Sequence, residues 1–123
     1  MCLTRVESAY SPPRKLDIPE VGYKIFIKRG DNYYPYVLTS RGDYIKNQWY
    51  KDKVHGDLGA IYKGVYPTGF HIFKNYMDAY LYKGRTSGVI CKVLYDDVVA
   101  IGEQGTNRMT IVARKFKIIE EID

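Results

Sequence analysis

Few residues in this chain have the types and spacing that chemistry needs. The only histidines are His55 and His71, and neither has a Cys or His close by in sequence to complete a zinc tetrad. The glycines at 56, 59 and 64 lack the spacing of a dinucleotide or phosphate loop, and no Gly-x-Ser-x-Gly elbow occurs. Asp96 and Asp97 adjoin on what reads as a turn, so their carboxylates are expected to diverge into solvent rather than converge on a substrate. Cys2 and Cys91 read as free thiols, with Cys91 in the core, and Cys2 has no neighbouring base to make it a nucleophile. Arg-Gly-Asp occurs at 29–31 and again at 41–43, where Gly-Asp is ordinary turn chemistry. No motif implies a cofactor.

His71 is the ionisable side chain of most interest. If it is not simply a histidine bonded to backbone, it forms the wall of a ligand cleft, where imidazole can bond phosphate or ribose hydroxyls. Tyr62 and Tyr66 would add stacking surface, and Lys63, Lys74 and Arg85 positive charge, for an anionic, nucleotide-like ligand. Glycines at 64, 69 and 84 would let backbone approach it. These six residues (His71, Tyr62, Lys63, Tyr66, Lys74 and Arg85) are the expected ligand or partner site. The fallback is the tyrosine-rich strand at 33–36 together with the surroundings of Trp49.

The elements that position them follow from hydrophobic period. Thr68–Ala79 holds the clearest change: Phe70 and Ile72 alternate as a short strand with His71 on the opposite face. Asn75 then opens a short helix near 75–83. Before it, Tyr23–Lys28 and Tyr33–Thr39 read as strands joined by Gly30-Asp31-Asn32, with Pro35 marking a sheet edge. Residues 1–20, with Ser11-Pro12-Pro13 and Pro19, read as an irregular N-terminal arm, and 44–53 fits neither period. After the helix, Val89–Tyr95 is the best strand. Asp96-Asp97 is expected to break it before a short strand at Val98–Ile101, and Met109–Ala113 and Lys115–Ile119 complete a meander. Val89, Cys91, Val93, Val99, Ile101, Ile111, Phe116 and Ile118 are the expected core. The fold expected is α+β: one strand-rich domain over 1–123, a mostly antiparallel sheet with one short helix.

Composition bounds the rest. At 123 residues the chain can bury one core without disulfides. No apolar run reaches the roughly 20 residues of a membrane span, and the N-terminus lacks a signal-peptide layout, so a cytoplasmic protein is expected. A net charge of +5 with thirteen tyrosines favours anionic partners. The same tyrosines, and an edge strand at Pro35, point to a homo-oligomer.

Three blocks carry a resemblance: Met1-Cys2-Leu3 with Tyr23-Lys24-Ile25-Phe26, then Gly69-Phe70-His71-Ile72-Phe73 followed by Asp78-Ala79, and the strands from Val89 to Ile119. Together they resemble small accessory proteins of bacteriophages that begin Met-Cys-Leu. The resemblance implies a viral accessory protein, α+β and strand-rich, with no assigned activity. Taken with the small size, basic charge, abundant tyrosine and lack of a catalytic constellation, it leads to the expectation of a protein in the host cytoplasm that antagonises a host defence system. It would do so by non-catalytic binding of a nucleotide immune signal or of a host defence protein such as a CRISPR effector. Two alternatives stand beside it. One is an enzyme resembling ADP-ribosyltransferases, built on Tyr23, His71 and Glu103, and the other is a nucleic-acid-binding accessory protein.

Overall fold

A computed structural model describes residues 3–35, 43–52, 57–59, 65–105 and 108–122. In chain order the elements are β1 (Arg5–Arg14), β2 (Glu20–Arg29), β3 (Asn32–Pro35), β4 (Trp49–Lys51), β5 (Asp57–Gly59), β6 (Val65–Pro67) and β7 (Phe70–Phe73). After them come α1 (Tyr76–Lys83), β8 (Val89–Glu103) and β9 (Met109–Glu121). Seven strands form one antiparallel sheet in the order β1-β8-β2-β7-β9-β4, with β3 on β2, while β5 and β6 pair separately. The mostly antiparallel sheet with one short helix therefore holds, although so little of the chain is helical that it is nearly all-β.

The sheet closes on itself. β8 pairs with β2, β2 reaches β7 at Tyr23 and Phe73, β7 pairs with β9, and β9 returns to β8. Inside this circuit lie Phe26, Tyr33, Tyr44, Ile72, Cys91, Val93, Tyr95, Phe116 and Ile118. Gly22 is fixed by that closure, because a Cβ there would strike the Ile72 side chain and come within 3.3 Å of the Tyr95 ring. Outside the circuit two smaller clusters form. Leu3, Tyr66, Val99, Ala100 and Val112 lie under β1, and Ile25, Phe73, Ala79 and Ile90 lie under α1.

β8 explains how one strand serves both clusters. Cys91, Val93 and Tyr95 face inward, Asp97 adopts φ 56°, and Val98 then faces inward in its turn. A register shift between Val98 and Ala100 puts Val99 and Ala100 together on the outer side. The expected break at Asp96-Asp97 is thus a bend within one 15-residue strand. Likewise the segments on either side of Arg114 are one strand, β9: Ala113 pairs with Val98 and Lys115 with Asp96, and the Arg114 carbonyl between them accepts the Asp52 N–H at 2.9 Å.

The N-terminal region also differs from expectation. Where an irregular arm was expected, Arg5–Arg14 forms a strand on β8, half-burying alternate residues from Val6 to Tyr10. Pro12 and Pro13 fall where the pairing register skips between Ala9 and Arg14, which is where missing backbone donors are tolerated. Of the expected core, Cys91, Val93, Val99, Ile111, Phe116 and Ile118 are buried, while Val89 and Ile101 pack only partly against it. Residues 36–39 of the expected second strand lie outside the described residues. Pro35 ends β3 on β2, and Tyr33 is bridged on β3's other side to Tyr44, so that strand's outer edge is partly covered. α1 begins after Asn75 and ends at Gly84, as the sequence suggests. Among the described residues no helix is long and apolar enough to cross a membrane.

Candidate functional site

His71 sits on the outward side of β7, opposite Phe70 and Ile72, as alternation requires. It is not open to solvent. The ring is 8% exposed, and its Nε2 lies 3.0 Å from the Tyr66 hydroxyl, which accepts the Leu3 N–H at 2.8 Å. Which of the two donates depends on the imidazole tautomer, and burial keeps the ring neutral. Burial pulls its pKa down to about 3, Lys24 nearby pushes the same way, and a bond to the Gly69 backbone offsets only part. His71 and Tyr66 are thus brought together, as a clasp that seats Leu3. Tyr62 and Lys63 lie outside the described residues. Lys74 is exposed at the end of β7, and Arg85 is exposed after α1.

Tyr23 and Glu103 do not join His71 in one constellation. Tyr23 packs edge-on against Tyr76 beneath α1, with ring centroids 5.8 Å apart. Glu103 ends β8, paired with Arg5 and Met109. Cys91 is fully buried, and its thiol is pushed up to about 12, which leaves no thiolate nucleophile near neutral pH.

Lys24 is a second unusual group. It shares the barrel-facing side of β2 with Gly22 and Phe26. Its ammonium donates to the His71 carbonyl at 2.9 Å and lies 5.9 Å from the Phe26 ring centroid. Burial lowers its pKa to about 8, against a smaller upward pull from Asp52. Arg114 is held more fully, donating to the Thr68 carbonyl and hydroxyl and to the Asp52 carbonyl, with the Asp52 carboxylate 3.5 Å away. That arrangement ties the chain after β4 to the chain before β7.

Among the described residues an open groove lies on the other side of β9. Asn47, at φ 66°, turns the chain into β4 and donates its N–H to the Ile118 carbonyl. Tyr50 then points inward: its ring lies 5.7 Å from Phe116 and 4.7 Å from Tyr44, and its hydroxyl accepts the Ile45 N–H. Alternation leaves Trp49 and Lys51 facing out. The registers place Trp49 across from Lys117, and Lys51 in a row with Lys115 and Asp96 over three strands. A groove of about 320 Å³ results, lined by Trp49, Tyr50, Lys51, Asp96 and Lys115. Trp49 stays 40% exposed, with the Lys117 ammonium 5.5 Å from its ring centroid.

The two aspartates behind this groove were expected to diverge into solvent, and neither is merely solvated. Asp96 Oδ1 accepts the N–H groups of Leu16 and Asp97, and Asp97 lies 3.5 Å from Lys115. Trp49 was legible as a fallback position. Lys51, Lys115, Lys117 and Asp96 were missed as a group, because only strand register brings them together. Among the described residues no cluster of His, Cys, Asp and Glu could hold a metal ion. Compared with known proteins, the chain matches no family model, no curated protein and no solved structure, so the chemistry of the groove has to be read from its own residues.

Proposed function

We propose that this is a bacteriophage accessory protein that antagonises a host defence system by binding, without turnover, a nucleotide immune signal in the host cytoplasm. The observation that supports it is the Trp49 groove, an exposed indole with lysines at 51, 115 and 117 around it. Stacking on an aromatic contributes about 1–3 kcal/mol per base, and ammonium groups add charge-assisted bonds to phosphate. The net charge of +5 favours capture of an anion, and the Met-Cys-Leu and Gly-Phe-His blocks supply the phage context. His71, Lys74 and Arg85 are not needed at the site in this reading.

A host defence protein as the partner is favoured by a different surface. Met77, Tyr80 and Leu81 of α1 are 58%, 47% and 56% exposed, an apolar stripe on a helix that otherwise covers the barrel. We also propose that the protein self-associates, which light scattering would read directly as a mass above that of one 14.3 kDa chain.

Equilibrium dialysis against a panel of mononucleotides, dinucleotides and nucleosides tests the proposal. Retention of phosphorylated members, recovered chemically unchanged, is the expected outcome. Release of an altered nucleotide would make the protein an enzyme, and retention of none would remove the nucleotide reading.

A further inference from the structure

We infer that the Trp49 groove takes nucleotides carrying one phosphate per base, whether free monophosphates or phosphodiester-linked units, in preference to triphosphates. The inference rests on the nucleotide reading above and goes further by naming the ligand class. Charge decides it. Lys51, Lys115 and Lys117 bring three positive charges to this face, and Asp96 and Asp97 bring two negative ones, so a single net positive charge remains. Lys115 is already 3.5 Å from Asp97, and Lys51 and Lys117 have no ion pair among the described residues. One phosphate, singly or doubly charged, matches that surplus, whereas a triphosphate brings a charge of about −4 to a wall that includes two carboxylates.

Geometry agrees with charge. Trp49 and Lys51 are two residues apart on β4, a separation of about 6.8 Å along an extended strand, comparable to that of base and phosphate in a nucleotide. A base on the open face of Trp49 therefore puts its phosphate beside Lys51 and Lys115. Asp96 is held rigidly by two N–H groups on Oδ1, and Oδ2 has no partner among the described residues. That oxygen can accept from a sugar hydroxyl, and it repels any second phosphate placed further along the groove.

Trp49 is the only tryptophan in the chain, so its fluorescence reports this face alone. The experiment titrates the whole protein with AMP, the dinucleotide pApA, ATP and adenosine at matched absorbance. The same four ligands are then run on Trp49→Leu, Lys51→Ala and Asp96→Asn, each checked for an unchanged melting temperature. AMP or pApA should quench Trp49, the stronger of the two identifying the source, and adenosine should bind roughly tenfold more weakly. Lys51→Ala should remove that tenfold advantage and leave adenosine unchanged. Asp96→Asn should improve ATP binding more than AMP binding. ATP binding tenfold tighter than AMP to the wild type would overturn the inference. So would nucleotide retained in dialysis with no change in Trp49 emission and no loss in Trp49→Leu, an outcome that leaves the broader nucleotide reading standing. No retention of any nucleotide would overturn both.

Discussion

Protonating His71 means placing a charge in a buried site that already lies near the Lys24 ammonium. In the unfolded chain the same ring accepts a proton near pH 6.5, and in the folded protein only near pH 3. The unfolded state therefore binds more protons throughout that window, so stability is complete above it and falls as pH drops through it. The slope from this one group reaches about 1.4 kcal/mol per pH unit. Urea unfolding from pH 7 to pH 4 should show the advantage of wild type over His71→Gln shrinking as pH falls. Parallel loss in the two proteins would mean that other groups carry the acid sensitivity. At this scale the sequence was half legible. Alternation shows that His71 faces away from Phe70 and Ile72, but Leu3, whose N–H completes the clasp, lies 63 residues from Tyr66 in sequence. No local pattern reports a contact of that range.

Among elements, β8 organises the molecule, pairing along its length with β9 and on its other edge with β2 and then β1. The handover to β1 depends on Gly102, where a Cβ would strike the Arg5 carbonyl oxygen and meet the Leu3 side chain at 3.0 Å. Neither can yield cheaply, because one is backbone and the other is fully buried. Gly102→Ala should cost about 1–3 kcal/mol, the usual range for overpacking. Hydrogen exchange should show β1 losing protection before β2 does, and equal loss across both would mean that β1 is not docked separately. The strand at Val89–Tyr95, the short strand at 70–73 and the helix after Asn75 were all readable, since each keeps one period for its whole length. β1 was not, because Pro12 and Pro13 suggest a loop and only the skip in its register accommodates them. The length of β8 was hidden for a related reason. Its inward face passes from odd to even residues at Asp97 and back again after Val99, which in one dimension looks like two short strands. The groove inherits the same difficulty, since Lys51, Lys115 and Asp96 become neighbours only once β4, β9 and β8 are aligned.

For the whole molecule the question is whether a net charge of +5 makes a nucleic-acid-binding protein, as one alternative has it. Where the cations are held argues otherwise. Arg114 is buried beside Asp52, Lys28 pairs with Glu121, Lys115 faces Asp97, and the Lys24 ammonium turns into the barrel. Several others lie over aromatic rings on separate elements: Arg14 on Tyr10, Arg29 on Tyr34 and Arg108 on Tyr82. A protein that tracks a duplex needs a continuous row of free cations, each neutralised phosphate adding about −0.9 to the slope of log affinity against log salt. The Trp49 face, with a single surplus charge, can neutralise about one phosphate. Binding to random duplex DNA, measured by fluorescence anisotropy over a series of salt concentrations, should therefore be weak, with a slope no steeper than about −2. A slope of about −6 would require a phosphate track that these cations do not form, and it would replace the proposed capture of a small anion with the coating of a polymer.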